Sequence, residues 1–238
     1  MDGFLLIDKP VGWTSFDVVN KIRYIVEAKL PKRTGKKHFP VGHAGTLDPL
    51  ASGLMIILLG SYTKQANQFS KLDKSYEFTA HLGLVSTTGD EEGDKTFVSD
   101  ARPTAKELQA VVNKFTGLQS QVPPAYSAIK VAGQKMYKLA RRGIEVKLEP
   151  RQITIYHLRI TGYSYPYINL EARVSSGTYV RSLVEDIGKS LGVGAYTSNI
   201  KRTSIGEYEL IYASSMENLS LEQSLHKTVT SDKMHRRS

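Results

Sequence analysis

Residues 75–84 alternate in character. Tyr76, Phe78, Ala80, Leu82 and Leu84 are apolar or aromatic, and Ser75, Glu77, Thr79 and His81 fall between them. A two-residue period belongs to a strand with one buried face, so the chain must build a sheet and cover one side of it. Other segments extend that sheet. Residues 54–59 are an apolar run between Gly53 and Gly60, the pattern of a fully buried strand. Residues 4–7 form a short apolar strand closed by the turn Lys9-Pro10-Val11-Gly12. Ile168, Leu170, Ala172 and Val174 alternate, and the alternation of residues 153–160 shifts midway, which predicts a bulge. Helical spacing appears at Val18, Val19, Ile22, Ile25 and Val26 behind a cap at Thr14 or Ser15. It recurs at Leu108, Val111, Val112 and Phe115 behind a Thr104–Glu107 capping box, and at Val180, Leu183, Val184, Ile187 and Leu191. Strands and helices do not alternate as βαβ units. The expected class is therefore α+β, with a mixed, largely antiparallel sheet.

A chain of 238 residues can bury enough surface to fold without staples, as one large domain or two small ones. It has no cysteine, which excludes a disulfide framework, thiolate metal sites and a cysteine nucleophile. The run at 54–59 is too short to span a bilayer. The apolar residues 4–7 are flanked by Asp2 and Asp8, unlike a secretory signal. The expectation is a soluble, cytoplasmic protein with no membrane contact.

Lysine and arginine outnumber aspartate and glutamate by 32 to 23, a net charge of +9, and a surplus of this size points to a polyanion. The surplus is clustered. Lys29, Lys32, Arg33, Lys36 and Lys37 precede His38, with no acid between Glu27 and Asp48. Lys130, Lys135, Lys138, Arg141, Arg142, Lys147 and Arg151 face only Glu145 and Glu149, and Tyr126, Met136 and Tyr137 lie among them. Cations interleaved with stacking groups suit unpaired nucleotides; a solvated surface loop reads the same way locally. The acidic patch 90–94 reads as an exposed loop tip.

No Walker A pattern, Gly-x-Ser-x-Gly elbow or dinucleotide fingerprint is present. The six histidines show no metal-ligand pairing on a helix face, so no metal and no cofactor are expected. Acid–base or nucleophilic chemistry by a carboxylate, hydroxyl or imidazole remains. The most unusual segment is 42–53. Asp48-Pro49 in it is first of all the pattern of a helix start, with Asp48 as N-cap and Pro49 in the first turn; a working carboxylate is the other reading. His43 reads as a hydrogen-bonded loop histidine or as a site residue. The second segment, Ser176-Gly177-Thr178-Tyr179-Val180-Arg181, lies where a strand hands over to a helix. Arg181 there can pair with Glu185 on the helix surface, four residues on. Tyr76 and Tyr179 read by default as half-buried aromatics.

These residues fall into motifs that run in order along most of the chain. They are Leu6-Ile7-Asp8-Lys9-Pro10-x-Gly12-Trp13-Thr14-Ser15-Phe16-Asp17, then Gly42-His43-x-Gly45-Thr46-Leu47-Asp48-Pro49-Leu50-Ala51-Ser52-Gly53, then Lys74-x-Tyr76. Pro123-Pro124-x-Tyr126-Ser127-Ala128-x-Lys130 follows, with Tyr137 and Ala140-Arg141; the last are the segment 176–181 and Arg202-Thr203-x-x-Gly206. In this order, over residues 4–208, the sequence closely resembles the bacterial tRNA pseudouridine-55 synthases.

The resemblance implies the pseudouridine synthase fold: a mixed, largely antiparallel sheet with a central RNA-binding cleft and flanking helices. It implies a catalytic domain over residues 1–227, with a basic thumb-like insertion at about 122–150 that closes on the T-arm, and a polar tail at 228–238. The implied reaction isomerises one uridine of the tRNA T-loop to pseudouridine, with tRNA as partner and no obligate protein partner. Asp48 aligns with the family's catalytic aspartate, and Arg181 with the arginine that pairs with it. Tyr76 would stack on the flipped uracil, Tyr179 and Ile200 would line its pocket, and His43 would fill the gap left in the RNA loop. Lys9 would support the site or meet phosphate; Lys130, Lys138, Arg141 and Arg142 would meet the RNA backbone. Longer members carry a C-terminal RNA-binding module, and about thirty residues after Tyr208 are too few for one. That keeps a guide-directed synthase acting on another RNA as an alternative.

Overall fold

The structure, a computed structural model, describes residues 1–29, 38–124, 126, 130, 131, 134–136, 144, 148–217 and 219. In chain order its elements begin with β1 (Gly3–Lys9), α1 (Ser15–Lys29), β2 (Val41–His43), β3 (Ser52–Leu59), a 3₁₀ stretch (Gly60–Gln65) and α2 (Ala66–Ser70). Then come β4 (Lys74–Leu82), β5 (Leu84–Ser86), β6 (Lys95–Phe97), α3 (Ala105–Lys114), β7 (Gly117–Gln121), β8 (Lys130–Val131) and β9 (Gln134–Lys135). The chain continues through β10 (Arg151–Ser164), β11 (Tyr167–Val174), α4 (Val180–Ser190) and β12 (Ala195–Ile205). It ends in β13 (Tyr208–Glu209), a second 3₁₀ turn (Leu210–Tyr212) and β14 (Ser214–Ser215). The class is α+β with mostly antiparallel pairing, as expected. Two compact units are present: Met1–Ser75 with the chain from Lys201 onward, and Tyr76–Ile200.

In the first unit β3 is the central strand. It pairs antiparallel with β1 from Gly3↔Leu59 to Lys9↔Gly53. Its other edge is shared by β2, antiparallel at His43↔Ile57, and by β12, parallel at Arg202↔Gly53. Phe4, Leu6, Leu54, Ile56 and Leu58 point into one cluster with Phe69, Ile205 and Tyr208. The Phe4 ring lies 5.2 Å from Phe69 and 5.2 Å from Tyr208, edge-on to the latter. The alternate residues Leu5, Ile7, Met55, Ile57 and Leu59 are buried as well, as are Val18, Val19, Ile22 and Val26 of α1. Burial on both faces explains why residues 54–59 carry no polar residue. Thr14 is the cap of α1: its hydroxyl accepts from the Asp17 N–H at 3.1 Å, and its own N–H donates to the Asp17 carboxylate at 2.9 Å. Ser15 is thereby free for another use.

In the second unit the strands run in the order β4-β11-β10-β7. Tyr76, Phe78, Ala80 and Leu82 are buried, together with Ile153, Ile155, Leu158, Ile168, Leu170, Ala172 and Val174. Helices α3 and α4 supply Leu108, Val111, Val112, Val180, Leu183, Val184 and Ile187 to the buried set. The Thr104–Glu107 capping box forms with both of its bonds. The β10–β11 register slips twice, between Ile155 and His157 and between Ile160 and Gly162, where the sequence predicts one bulge. The alternation of residues 75–84 stops at Leu82; Leu84 belongs to β5 and is only half-buried, because the chain turns at Gly83. Among the described residues no helix is long and apolar enough to cross a membrane. The tail 228–238 and most of the 122–150 insertion lie outside the described residues.

Candidate active site

Asp48 sits in the first unit, in the loop joining β2 to β3. The helix start expected at Asp48-Pro49 does not form. Residues 48–51 instead make a tight turn, closed by the Ala51 N–H donating to the Asp48 carbonyl at 3.0 Å, and run straight into β3. Proline suits the second position of such a turn. The Pro49 carbonyl that a helix would have used inside itself is taken by the Gly12 N–H at 2.8 Å and by Lys9 Nζ at 3.3 Å.

Lys9 is fully buried. Its ammonium also donates to the carbonyls of Pro10 at 2.8 Å and Trp13 at 2.7 Å. Burial pushes it down to about 8, and Asp48 is the carboxylate that most opposes the shift. Of the two roles expected for Lys9, this geometry suits support of the loop, since an ammonium sealed on three carbonyls faces no solvent phosphate. Ser15 reaches the same loop: its hydroxyl donates to the Leu47 carbonyl at 2.9 Å and accepts from the Leu47 N–H at 2.8 Å. His43 closes β2, half-buried.

The second unit holds Tyr76, Tyr179, Arg181 and Ile200. Tyr76 lies buried on β4 and Ile200 buried on β12. Tyr179 is the N-cap of α4 in an extended conformation. Its peptide is gripped by one side chain: the Tyr179 N–H donates to Gln121 Oε1 at 2.8 Å, and Gln121 Nε2 donates to the Tyr179 carbonyl at 3.0 Å. Arg181 is buried, not on the helix surface. Its guanidinium donates to the carbonyls of Thr88 and Tyr126, each at 2.8 Å, and pairs with Asp90 at 3.3 Å. Asp90 in turn accepts from the Thr88 hydroxyl and from the Glu92 N–H at 3.1 Å. The patch expected to be an exposed loop tip is thus split: Glu91, Glu92 and Asp94 are exposed, while Asp90 turns inward to Arg181. Glu185, the surface partner considered for Arg181, is pushed up to about 6 by burial, with Arg181 pulling the other way. Lys138, Arg141, Arg142 and the side chain of Lys130 lie outside the described residues.

Residues 32–180 match the family model described as TruB family pseudouridylate synthase (N terminal domain). The tRNA pseudouridine synthase B of Protochlamydia amoebophila is 43% identical over 209 residues, covering 87% of this chain and 76% of that protein.

The chain belongs to the TruB family of pseudouridylate synthases.

It is therefore an isomerase. The tRNA pseudouridine synthase B of Parabacteroides distasonis is 41% identical over 226 residues, and the match covers 94% of each chain. Among solved structures, the crystal structure of a Cbf5-Nop10-Gar1 complex shares the fold with a TM-score of 0.66 at 27% identity. That match covers 91% of this chain and about half, 53%, of the solved one.

Several residues that hold the candidate side chains within each unit carry no legible local signal. Asp90 reads as solvated because its neighbours are acidic, and Gln121 is an ordinary polar residue at a strand end. Ser15 reads only as a possible cap. Arg202 stands in a motif without a role, yet it is almost fully buried beneath the Asp48 loop.

Proposed function

We propose that this enzyme converts uridine 55 of the tRNA T-loop to pseudouridine, with Asp48 as the catalytic carboxylate. The substrate rests on the relatives named tRNA pseudouridine synthase B, which match along nearly the whole chain. The observation that carries the role of Asp48 is its place in a turn whose flanking peptides are held by the buried side chains Lys9 and Ser15. In the reaction the C1′–N1 bond breaks, the uracil rotates, and a C1′–C5 bond forms. The C5 proton is lost and N1 gains one, so no group leaves. The target base has to leave its stack at a cost of a few kcal/mol, and a tyrosine face such as Tyr76 returns about 1–3 kcal/mol. Tyr179, Arg181 and Ile200 serve the bound uridine, and His43 fills the vacated place in the RNA. Lys130, Lys138, Arg141 and Arg142 hold the backbone of the T-arm.

The test is tritium release from C5-labelled uridine in a T-arm hairpin, comparing the wild type with Asp48→Asn. Release by the wild type and none by the variant supports the reading. No release from either the hairpin or full-length tRNA overturns it. A guide-directed reading draws on the likeness to the Cbf5-Nop10-Gar1 complex alone. Turnover of the bare hairpin, with no second protein or RNA, rules that reading out.

A further inference from the structure

The loop that carries Asp48 belongs to neither helix nor sheet between Ala44 and Ala51, so no ladder of backbone hydrogen bonds sets its shape. Side chains take over its polar groups. Arg202 comes from β12, and its guanidinium spans two segments. Nε donates to the Leu54 carbonyl of β3 at 2.7 Å, Nη2 to the Gly45 carbonyl at 3.2 Å, and Nη1 to the Thr46 carbonyl at 3.4 Å. Ser15 holds both polar atoms of the Leu47 peptide, directly before Asp48.

The arrangement is expensive to build. Arg202 is 1% exposed, and a buried guanidinium is tolerated only where its donors are met. It forms no ion pair among the described residues; carbonyls alone receive it. Its delivery also consumes a glycine. β12 runs so close to β3 that a Cβ on Gly53 would stand 2.3 Å from the Arg202 carbonyl oxygen. A lysine does not replace the guanidinium, because a single ammonium nitrogen cannot stand in for three nitrogens spread over a planar fork, Nε on Leu54 and the two Nη on Gly45 and Thr46.

We propose that Arg202 and Ser15 are positioning residues for Asp48: together they hold the peptides at 45, 46 and 47 in the one conformation that presents the carboxylate. The proposal rests on Asp48 being the working group. Misplacing such a group by about 1 Å can cost on the order of 100-fold in rate.

The experiment compares Arg202→Lys and Ser15→Ala with the wild type and with Val26→Ala, a core variant of the same unit. Turnover, KM for T-arm RNA, thermal midpoint and amide hydrogen exchange at Leu47 and Ala51 are measured for each. We expect Arg202→Lys to lower kcat roughly 10- to 100-fold and Ser15→Ala roughly fivefold, with KM within about twofold, the scale set by misplacement of a reacting group. Exchange at Leu47 and Ala51 rises in both. Val26→Ala lowers the thermal midpoint while kcat stays at the wild-type value. If Arg202→Lys loses no more turnover than Val26→Ala at equal folded fraction, its role is structural only and the proposal falls. Should Arg202→Lys not accumulate folded, Ser15→Ala decides alone, and unchanged kcat with unchanged exchange overturns the proposal. A wild type without tritium release defeats the functional reading instead; the exchange rates still report on the loop, and unchanged rates overturn the positioning claim.

Discussion

The Asp90 carboxylate lies 3.3 Å from a guanidinium nitrogen of Arg181, and both side chains are almost completely buried. Removing one charge from a buried pair leaves the other in a medium that solvates it poorly. Asp90→Asn keeps the shape and leaves Arg181 in its site with one carboxylate fewer. It is expected to destabilise the fold by about 3 kcal/mol. On the proposed role of Arg181 at the uridine, turnover should fall by more than tenfold, since the guanidinium stays in its site but loses the carboxylate that fixes its orientation. Urea unfolding and tritium release, run side by side, check both parts; full stability in the variant would contradict the geometry.

Glu185 gives a pH signature. Burial pushes its carboxyl up to about 6 from an ordinary value of 4.5. Between those values the folded state holds a proton that the unfolded state has released, so stability falls as pH rises through that window. Above it, the ionised buried carboxylate remains a standing cost. Glu185→Gln removes the cost, discounted for partial solvent screening to on the order of 1 kcal/mol at pH 7. The variant should match the wild type near pH 4.5 and exceed it at pH 7. Thermal midpoints at the two pH values read the difference, and a constant offset between the proteins would show that Glu185 is not the source.

Two glycines with similar backbone angles should respond differently to alanine. Gly53 has φ of +101°, and an added Cβ would meet the Arg202 backbone at 2.3 Å. Gly177 has φ of +85° and open space around it. Gly177→Ala is expected to cost about 1 kcal/mol, the strain of the angle itself. Gly53→Ala must in addition force β12 away from β3, and should cost more than about 3 kcal/mol or prevent folding. Equal midpoints for the two variants would contradict the close approach.

Binding to tRNA should be strongly salt-dependent. If the basic clusters at 29–37 and 130–151 meet about 6–10 phosphates, affinity falls on the order of 10³- to 10⁵-fold between 50 and 200 mM salt. Filter binding over that range measures the slope. Neutralising Lys138, Arg141 and Arg142 should weaken binding more than it slows the bound reaction. A flat salt response would remove the electrostatic account.

The sequence carries the local structure well wherever one period dominates. The capping box at Thr104, the alternation of β4 and the doubly buried β3 need only near neighbours, and all form as expected. The failures share a different cause, which is competition from distant partners. Asp48-Pro49 has the local chemistry of a helix start, but Gly12 and Lys9, some forty residues away, claim the Pro49 carbonyl and the chain turns. Asp90 sits among acids and looks solvated, yet Arg181 lies ninety-one positions later and draws it inward. Lys9 and Arg202 are buried on carbonyls, and nothing local in the sequence announces those partners. Motif order singles out Asp48 as the candidate carboxylate; it does not show that Lys9, Ser15 and Arg202 hold the peptides around it.

The strand that leads out toward the basic insertion is fastened before it leaves. Gln121 ends β7 and grips the Tyr179 peptide, the Ser182 hydroxyl donates to the Val122 carbonyl at 3.0 Å, and Arg181 donates to the Tyr126 carbonyl. Three stitches therefore tie the root of the insertion to residues 179, 181 and 182, the first turn of α4. A tug on the chain beyond Tyr126 is borne first by the start of α4, and under the proposed function the hold on the RNA stem and the seat of the base would share that anchor.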